Sequence, residues 1–240
     1  MNKYEFKNEL RTKSLQFNVD LTDEQLEKFY RYMEMLLEWN EKINLTAITE
    51  QNEIIEKHFV DSLSIVPYIK ESDNILDIGT GAGFPGIPLK IALQNNDITL
   101  LDSLNKRINF LNEIIEELKL NKIKAVHGRA EDFNKNKNER ESYTVVVSRA
   151  VAKLNVLLEY MMPFVKVGGK CICMKSCEIE EELIEANKAI NILGGKIEKV
   201  EEIILEGTNI KRKIVIIKKV KNTPNQYPRK AGTPIKQPII

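Results

Sequence analysis

The stretch ILDIGTGAGFPGIPLKIAL, Ile75–Leu93, decides the fold of this 240-residue chain. It begins as a short apolar run, breaks into a glycine cluster and resumes as a helical pattern. A strand followed by a glycine turn and a helix is typical of the first βαβ unit of an open α/β sheet, where a ligand lies against bare backbone. The stretch therefore predicts a parallel sheet with a ligand site at the carboxyl end of this strand.

Strand and helix patterns alternate downstream of this stretch. The β-rich runs are Ile75–Ile78, Ile98–Asp102, Ile123–His127, Thr144–Ser148 and Lys170–Met174, and the helical patterns are Gly86–Leu93, Leu104–Leu120, Val151–Met162 and Glu180–Leu193. Such alternation predicts a doubly wound α/β fold with right-handed crossovers. No helix separates the last two strands, Lys196–Leu205 and Lys213–Lys219, so we expect an antiparallel pair that completes a mostly parallel seven-stranded sheet.

The residues before this sheet read as helical. Thr22 and Gln25 form a capping box at the start of an amphipathic helix that runs to Trp39, and a second helix is predicted over Asn52–Ile65. We therefore expect a helical N-terminal extension (1–70), an α/β domain (71–220) and a basic, proline-containing tail (221–240).

Composition favours a folded protein of the cytoplasm. Hydrophobic residues make up 42% and charged residues 30% of the chain, and no apolar run is long enough for a membrane span. The odd set Cys171, Cys173 and Cys177 argues against disulfides, and we expect reduced thiols. A metal site is not expected, because His58 and His127 are the only imidazoles.

Basic charge is concentrated at the C-terminal end of the sequence. Residues 207–240 contain nine Lys or Arg and no acid, which leaves a formal charge of −8 on the first 206 residues. A patch of this kind indicates a polyanionic partner, although a solvated basic tail is the alternative.

The glycine turn fits two classes of nucleoside ligand. Gly81, Gly83 and Gly86 satisfy the dinucleotide pattern G-x-G-x-x-G, which alone is a weak signal. However, Gly79 already occupies the tight turn after the strand, and alternation of glycines after the acidic strand end at Asp77 favours S-adenosyl-methionine. An NAD-dependent oxidoreductase therefore remains as an alternative.

Further candidate ligand contacts follow the next strands. Asp102 ends the second strand and could bind the two ribose hydroxyls, although Asp102 or Ser103 could instead cap the following helix. The backbone at Ala130 and the carboxylate of Glu131 could bind an adenine edge. Arg149 ends the fourth strand and could clamp a carboxylate or a phosphate.

Several motifs in order carry a family resemblance. They are WNEKINLT (39–46), HFVDSL (58–63), DIGTGAGFPGIPL (77–89), DSLNKR (102–107), GRAED (128–132), SRAVAKL (148–154) and the tail YPRKAGTPIKQP (227–238). Together they resemble the ribosomal small subunit methyltransferase G family, also called glucose-inhibited division protein B, over nearly the whole chain.

This resemblance implies a Rossmann-like class I methyltransferase. Enzymes of that family transfer a methyl group from S-adenosyl-methionine to N7 of one guanine in 16S rRNA, so the implied partner is 16S rRNA, the 30S subunit or an assembly intermediate. The enzyme is expected to act as a monomer. Carried over by position, the cofactor contacts fall on Gly79, Phe84, Asp102, Ser103, Ala130, Glu131 and Arg149.

The implied chemistry requires no general base. Guanine N7 carries an unprotonated lone pair, so the main task is in-line positioning, and we assign no catalytic acid or base. Phe84 could shield the donor or pack the glycine turn. We expect a structural role for His58 and Asp61.

An RNA-binding module with a vestigial nucleotide pocket is the other alternative. In either RNA-binding case the tail is expected to contact phosphates, with Tyr227 stacking on a base, and its removal is expected to leave donor affinity unchanged.

Overall fold

A seven-stranded sheet forms the centre of the molecule. The computed structural model describes residues 1–149, 152–176 and 178–240. Its strands are β1 (Asn74–Ile78), β2 (Asp97–Asp102), β3 (Ile123–His127), β4 (Tyr143–Arg149), β5 (Val165–Lys175), β6 (Gly195–Ile204) and β7 (Lys211–Lys219). Their order is β3-β2-β1-β4-β5-β7-β6, and β7 alone runs antiparallel to its neighbours β5 and β6. The predicted doubly wound sheet with a terminal antiparallel pair is confirmed.

Helices cover both faces of the sheet. They are α1 (Lys3–Ser14), α2 (Asp23–Asn40), α3 (Gln51–Ile54), α4 (Asp61–Leu63), α5 (Gly86–Ala92), α6 (Asn105–Glu117), α7 (Ala130–Phe133), α8 (Leu154–Met161), α9 (Glu180–Ile192) and α10 (Thr233–Lys236). A π-helical segment, Ile55–Val60, joins α3 to α4, so the helix predicted over Asn52–Ile65 is present with a widened turn. Ala150, Val151 and Cys177 lie outside the described residues, and the predicted start of the Val151–Met162 helix and the third cysteine fall there.

The N-terminal helices pack on one face of the sheet. The capping box of Thr22 and Gln25 begins α2 as predicted. The Gln25 side-chain amide also donates to the carbonyl of Ile91, 2.8 Å away, which joins the start of α2 to the end of α5. Apolar side chains of α1, α2 and the π-helical segment form one buried cluster with Ile75 and Val145 of the sheet. The domain limits at residues 70 and 220 stay a prediction.

The opposite face of the sheet forms a second apolar cluster with α8 and α9. Leu76 and Val146 point to this face because side chains alternate along a strand. Cys171 and Cys173 lie here, fully buried, and contact Met162 and Met161. Burial raises the pKa of both thiols, for Cys173 to about 12, so they behave as small apolar groups.

The residues after β7 turn back along this second face. Thr223 is buried, and its amide donates to the Glu141 carboxylate. The guanidinium of Arg140 donates to the carbonyls of Thr223 and Tyr227 at 2.8 Å each. These contacts fix the first part of the tail, residues 223–227, against the segment that precedes β4.

Candidate functional site

A cavity of about 430 Å³ opens where β1, β2 and β3 end. This edge lies beside the switch point of the sheet. β2 and β3 follow β1 on one side, and the chain then crosses to β4 on the other side of β1, so the strand order reverses there. The lining residues are Ile78, Gly79, Leu101, Asp102, Ser103, Arg107, Gly128, Arg129, Ala130, Glu131, Tyr160, Gly232 and Ile235.

The glycine turn forms one wall through left-handed backbone. Gly79, Gly81 and Gly83 have φ of +68°, +61° and +100°, values that L side chains rarely adopt. The amides of Gly79 and Thr80 both donate to the Leu101 carbonyl, which folds the turn back over the end of β2.

Asp77 holds this turn from beneath. Its Oδ2 accepts the Thr80 hydroxyl at 2.7 Å and the Gly86 amide at 2.8 Å. Its Oδ1 is buried and has no hydrogen-bond partner among the described residues. Burial raises the pKa of Asp77 to about 7, while the two hydrogen bonds act in the opposite direction.

Asp102 lies at the cavity with only 3% of its surface exposed. Its Oδ2 accepts the Gly81 amide at 2.9 Å and approaches Arg107 at 3.3 Å, and its Oδ1 accepts the Leu104 amide at 2.9 Å. Asp102 therefore supports both the glycine turn and the start of α6. Each carboxylate oxygen has two lone pairs, so Oδ1 retains a free acceptor position.

Three further predicted contacts line the same cavity. Ser103 is exposed beside Asp102, and its carbonyl contacts the ring of His127. Ala130 and Glu131 begin α7, and both are 8% exposed. Together with Gly79, five of the seven predicted positions surround one space.

Phe84 and Arg149 do not line this cavity. Phe84 is 5% exposed and stacks on the ring of His58, with centroids 4.4 Å apart. The guanidinium of Arg149 lies over Phe84 at 4.9 Å and donates to the carbonyl of Lys57 at 2.9 Å. Their roles as cofactor contacts stay predictions.

A buried ionic cluster fixes Arg149 in this position. Arg149 and Arg212 approach the two oxygens of Asp61 at 3.2 Å each. Asp61 is 2% exposed, and burial raises its pKa while the two arginines lower it. Burial and the charge of Arg149 lower the pKa of His58 to about 3, so this imidazole is neutral. These contacts agree with the structural role expected for His58 and Asp61.

Three lining residues come from parts of the chain that the sequence-based prediction did not place at the donor site. Tyr160 comes from α8, and burial together with the nearby Glu131 raises its pKa to about 12. Gly232 and Ile235 come from the tail, which was predicted to contact RNA phosphates and to leave donor affinity unchanged when removed. The stretch KAGTPIK (230–236) predicts a turn at Gly232, but nothing in it indicates a contact with Glu131, 101 residues earlier.

Within 1–149, 152–176 and 178–240, no three metal-ligating side chains cluster. In the same ranges, no helix combines the length and the apolar run that a bilayer crossing needs.

Comparisons with known proteins place this architecture in a family. Two solved structures share the fold: a precorrin-6y C5,15-methyltransferase from Geobacter metallireducens (TM-score 0.50, 14% identity, 72% of this chain and 90% of that one) and M. jannaschii TYW2 in complex with AdoMet (TM-score 0.50, 18% identity, 63% and 71%). The ribosomal RNA small subunit methyltransferase G of Alkaliphilus oremlandii (strain OhILAs) is 52% identical over 237 residues, 98% of this chain and 99% of that protein. A model described as rRNA small subunit methyltransferase G matches residues 25–215. This chain therefore belongs to the rRNA small subunit methyltransferase G family.

Proposed function

We propose that this protein transfers a methyl group from S-adenosyl-methionine to N7 of a guanine in 16S rRNA. The observation that carries the proposal is the cavity at the carboxyl ends of β1–β3, where the glycine turn, Asp102 and Glu131 meet. The name of the A. oremlandii relative supports an rRNA substrate, and the bound AdoMet of M. jannaschii TYW2 supports the donor.

The residues at the cavity fit an adenosyl nucleoside. The free acceptor position on Asp102 Oδ1 suits a ribose hydroxyl. Gly79 and Gly81 have no side chain to block the approach of the donor to the turn, and a Cβ at Gly81 would meet nothing within 4 Å. The small side chain of Ala130 leaves room for a flat base beside the amides that begin α7.

When bound, the donor supplies an electrophilic sulfonium methyl group. The protein's part is to hold the guanine so that N7 lies in line with the S–CH₃ bond, which can contribute up to about 7–11 kcal/mol. No proton leaves N7 during the attack, and we therefore assign no general base. Asp77 and Arg149 lie at the ends of β1 and β4, where the methionyl end of the donor would lie, and we propose Arg149 and Phe84 as contacts on that side.

The test is methyl transfer with the product mapped to the nucleotide. The protein is incubated with radiolabelled donor and with 16S rRNA, either free or in 30S particles, and the RNA is cleaved by borohydride and aniline at 7-methylguanosine. We expect label and one cleavage site in at least one RNA form. Absence of incorporation into every form would contradict the proposal.

Ligand binding separates the methyltransferase from an NAD-dependent oxidoreductase. An oxidoreductase would give a calorimetric signal with NADH and none with S-adenosyl-homocysteine, whereas we expect the reverse.

In the Asp102→Asn variant an NH₂ group replaces one of the two carboxylate oxygens, which accept backbone N–H groups. We therefore expect S-adenosyl-homocysteine to bind at least about tenfold more weakly. Asp97→Asn at the exposed start of the same strand is the matched control. We further propose that the enzyme acts in the cytoplasm as a monomer.

A further inference from the structure

The C-terminal tail is part of the cavity wall. Gly232 and Ile235 line the cavity together with Asp102, and the Gly232 amide donates to Glu131 Oε1 at 3.3 Å. The tail therefore contacts Glu131, whose carboxylate is predicted to bind the adenine edge.

Anchors on both sides of Ile235 fix its position. Glu159 is fully buried and accepts from the Arg229 amide at 2.8 Å. The Arg229 guanidinium donates to both oxygens of this carboxylate, to Oε1 at 2.9 Å and to Oε2 at 2.6 Å. On the other side of Ile235, Ile239 is buried against the α8 face of the core. The short helix α10 between these anchors packs on α8.

Ile235 itself is exposed, although it lines a cavity. It retains 67% of its accessible surface, while Ile78 and Leu101, which also line the cavity, are buried in the sheet core. An exposed isoleucine held by anchored neighbours at a cavity mouth is an apolar surface that a flat apolar group can cover. It offers nothing to a phosphate, so an RNA backbone contact does not account for it.

We infer that Ile235 covers the adenine ring of the methyl donor, and that residues 229–236 of the tail form a wall of the donor site. This inference rests on the proposed function, because only an adenosyl donor places an adenine beside Ala130 and Glu131. The tail then determines nucleoside affinity in addition to any role toward RNA.

The test compares two exposed isoleucines of the tail. Ile240 is 69% exposed and does not line the cavity, so Ile240→Ala is the matched control for Ile235→Ala. Dissociation constants for S-adenosyl-homocysteine and for adenosine are measured by calorimetry. We expect Ile235→Ala to weaken both ligands by the same factor, about three- to tenfold, because the lost contact is with the shared ring.

Two further measurements exclude an indirect effect. Ile235→Met keeps an apolar cover and is expected to retain affinity within about twofold. The thermal midpoint of Ile235→Ala is expected to equal that of wild type, because the side chain is exposed. Equal affinities for Ile235→Ala and Ile240→Ala would overturn the inference while the proposed function stands. Failure of the wild-type protein to bind S-adenosyl-homocysteine would overturn both.

Discussion

Two buried ionisable side chains near the glycine turn, Asp77 and His58, make stability depend on pH in opposite directions. The folded protein keeps Asp77 protonated up to about pH 7, so the stability from this group is full below about pH 4 and is lost as the pH rises to 7. The folded protein keeps His58 neutral down to about pH 3, so its contribution is full above about pH 6.5 and is lost as the pH falls. Between pH 4 and 6.5 the two slopes oppose each other.

Asp77→Asn should remove one of these two opposing pH dependences and leave the one that His58 produces. The unfolding free energy of the variant, minus that of wild type, is expected to rise with pH between 4 and 7 by up to about 1.4 kcal/mol per pH unit, the value for one proton. Urea denaturation at four pH values in this window measures the difference. A difference that stays constant with pH would contradict a protonated, buried Asp77.

Five of the seven predicted site positions line one cavity, and the sequence indicated their proximity through the ends of the predicted strands. Gly79, Asp102 and Glu131 lie at or just after the ends of three strands, and the ends of parallel strands meet at one edge of a sheet. Arg149 also ends a strand, yet its side chain turns to Asp61 on an N-terminal helix. That pairing spans 88 residues, and periodicity along the chain carries no information on it.

At the scale of elements, the start of α5 lies very close to β1 and β2. A Cβ added to Gly86, the first residue of α5, would lie 2.2 Å from Leu100 Cδ2 and 2.8 Å from Asp77 Oδ2. The glycine lets the helix start rest directly on the ends of β1 and β2, which positions the turn before it.

Gly86→Ala should therefore destabilise the protein, although alanine is the better helix former. We expect a loss of about 1–3 kcal/mol in unfolding free energy from overpacking, measured by chemical denaturation. Gly128→Ala is the control, because its Cβ would have Leu101 Cδ1 as its nearest neighbour at 3.7 Å. Equal stabilities of the two variants would contradict the close approach.

Element boundaries were predictable where the local pattern was regular. Strands β1 to β5 were expected within a few residues of their observed limits, apart from the early start of β5 at Val165. The π-helical turn Ile55–Val60 was not expected, because a widened turn depends on packing against the sheet and leaves no periodic signal.

At the scale of the whole molecule, the basic C-terminal segment is divided among three places. Lys211–Lys213 begins β7 at the carboxyl edge of the sheet, because this strand runs antiparallel. Lys219 is buried at the other edge and pairs with Glu141 at 3.1 Å, and Arg229 pairs with Glu159. Four of the nine basic residues of this segment, Arg212, Lys213, Lys219 and Arg229, therefore pair with acids of the domain.

Glu159→Gln should release the tail from the domain. The change leaves Arg229 without its counter-charge, and we expect about 2–4 kcal/mol lower unfolding free energy, below the upper range for buried pairs because Arg229 is partly exposed. Hydrogen exchange should show lost protection at residues 229–239. Glu185→Gln removes an exposed pair with Lys153 and is expected to change stability by less than about 0.5 kcal/mol. Unchanged protection in Glu159→Gln would show that the tail is held by other contacts.

The hydrogen bond between Gly232 and Glu131 also orders events during synthesis. The two residues are 101 positions apart, and Gly232 follows every strand of the sheet. All seven strands are therefore synthesised before the last wall of the nucleoside cavity. The donor cavity is therefore complete only when the tail has been synthesised and has docked on the domain.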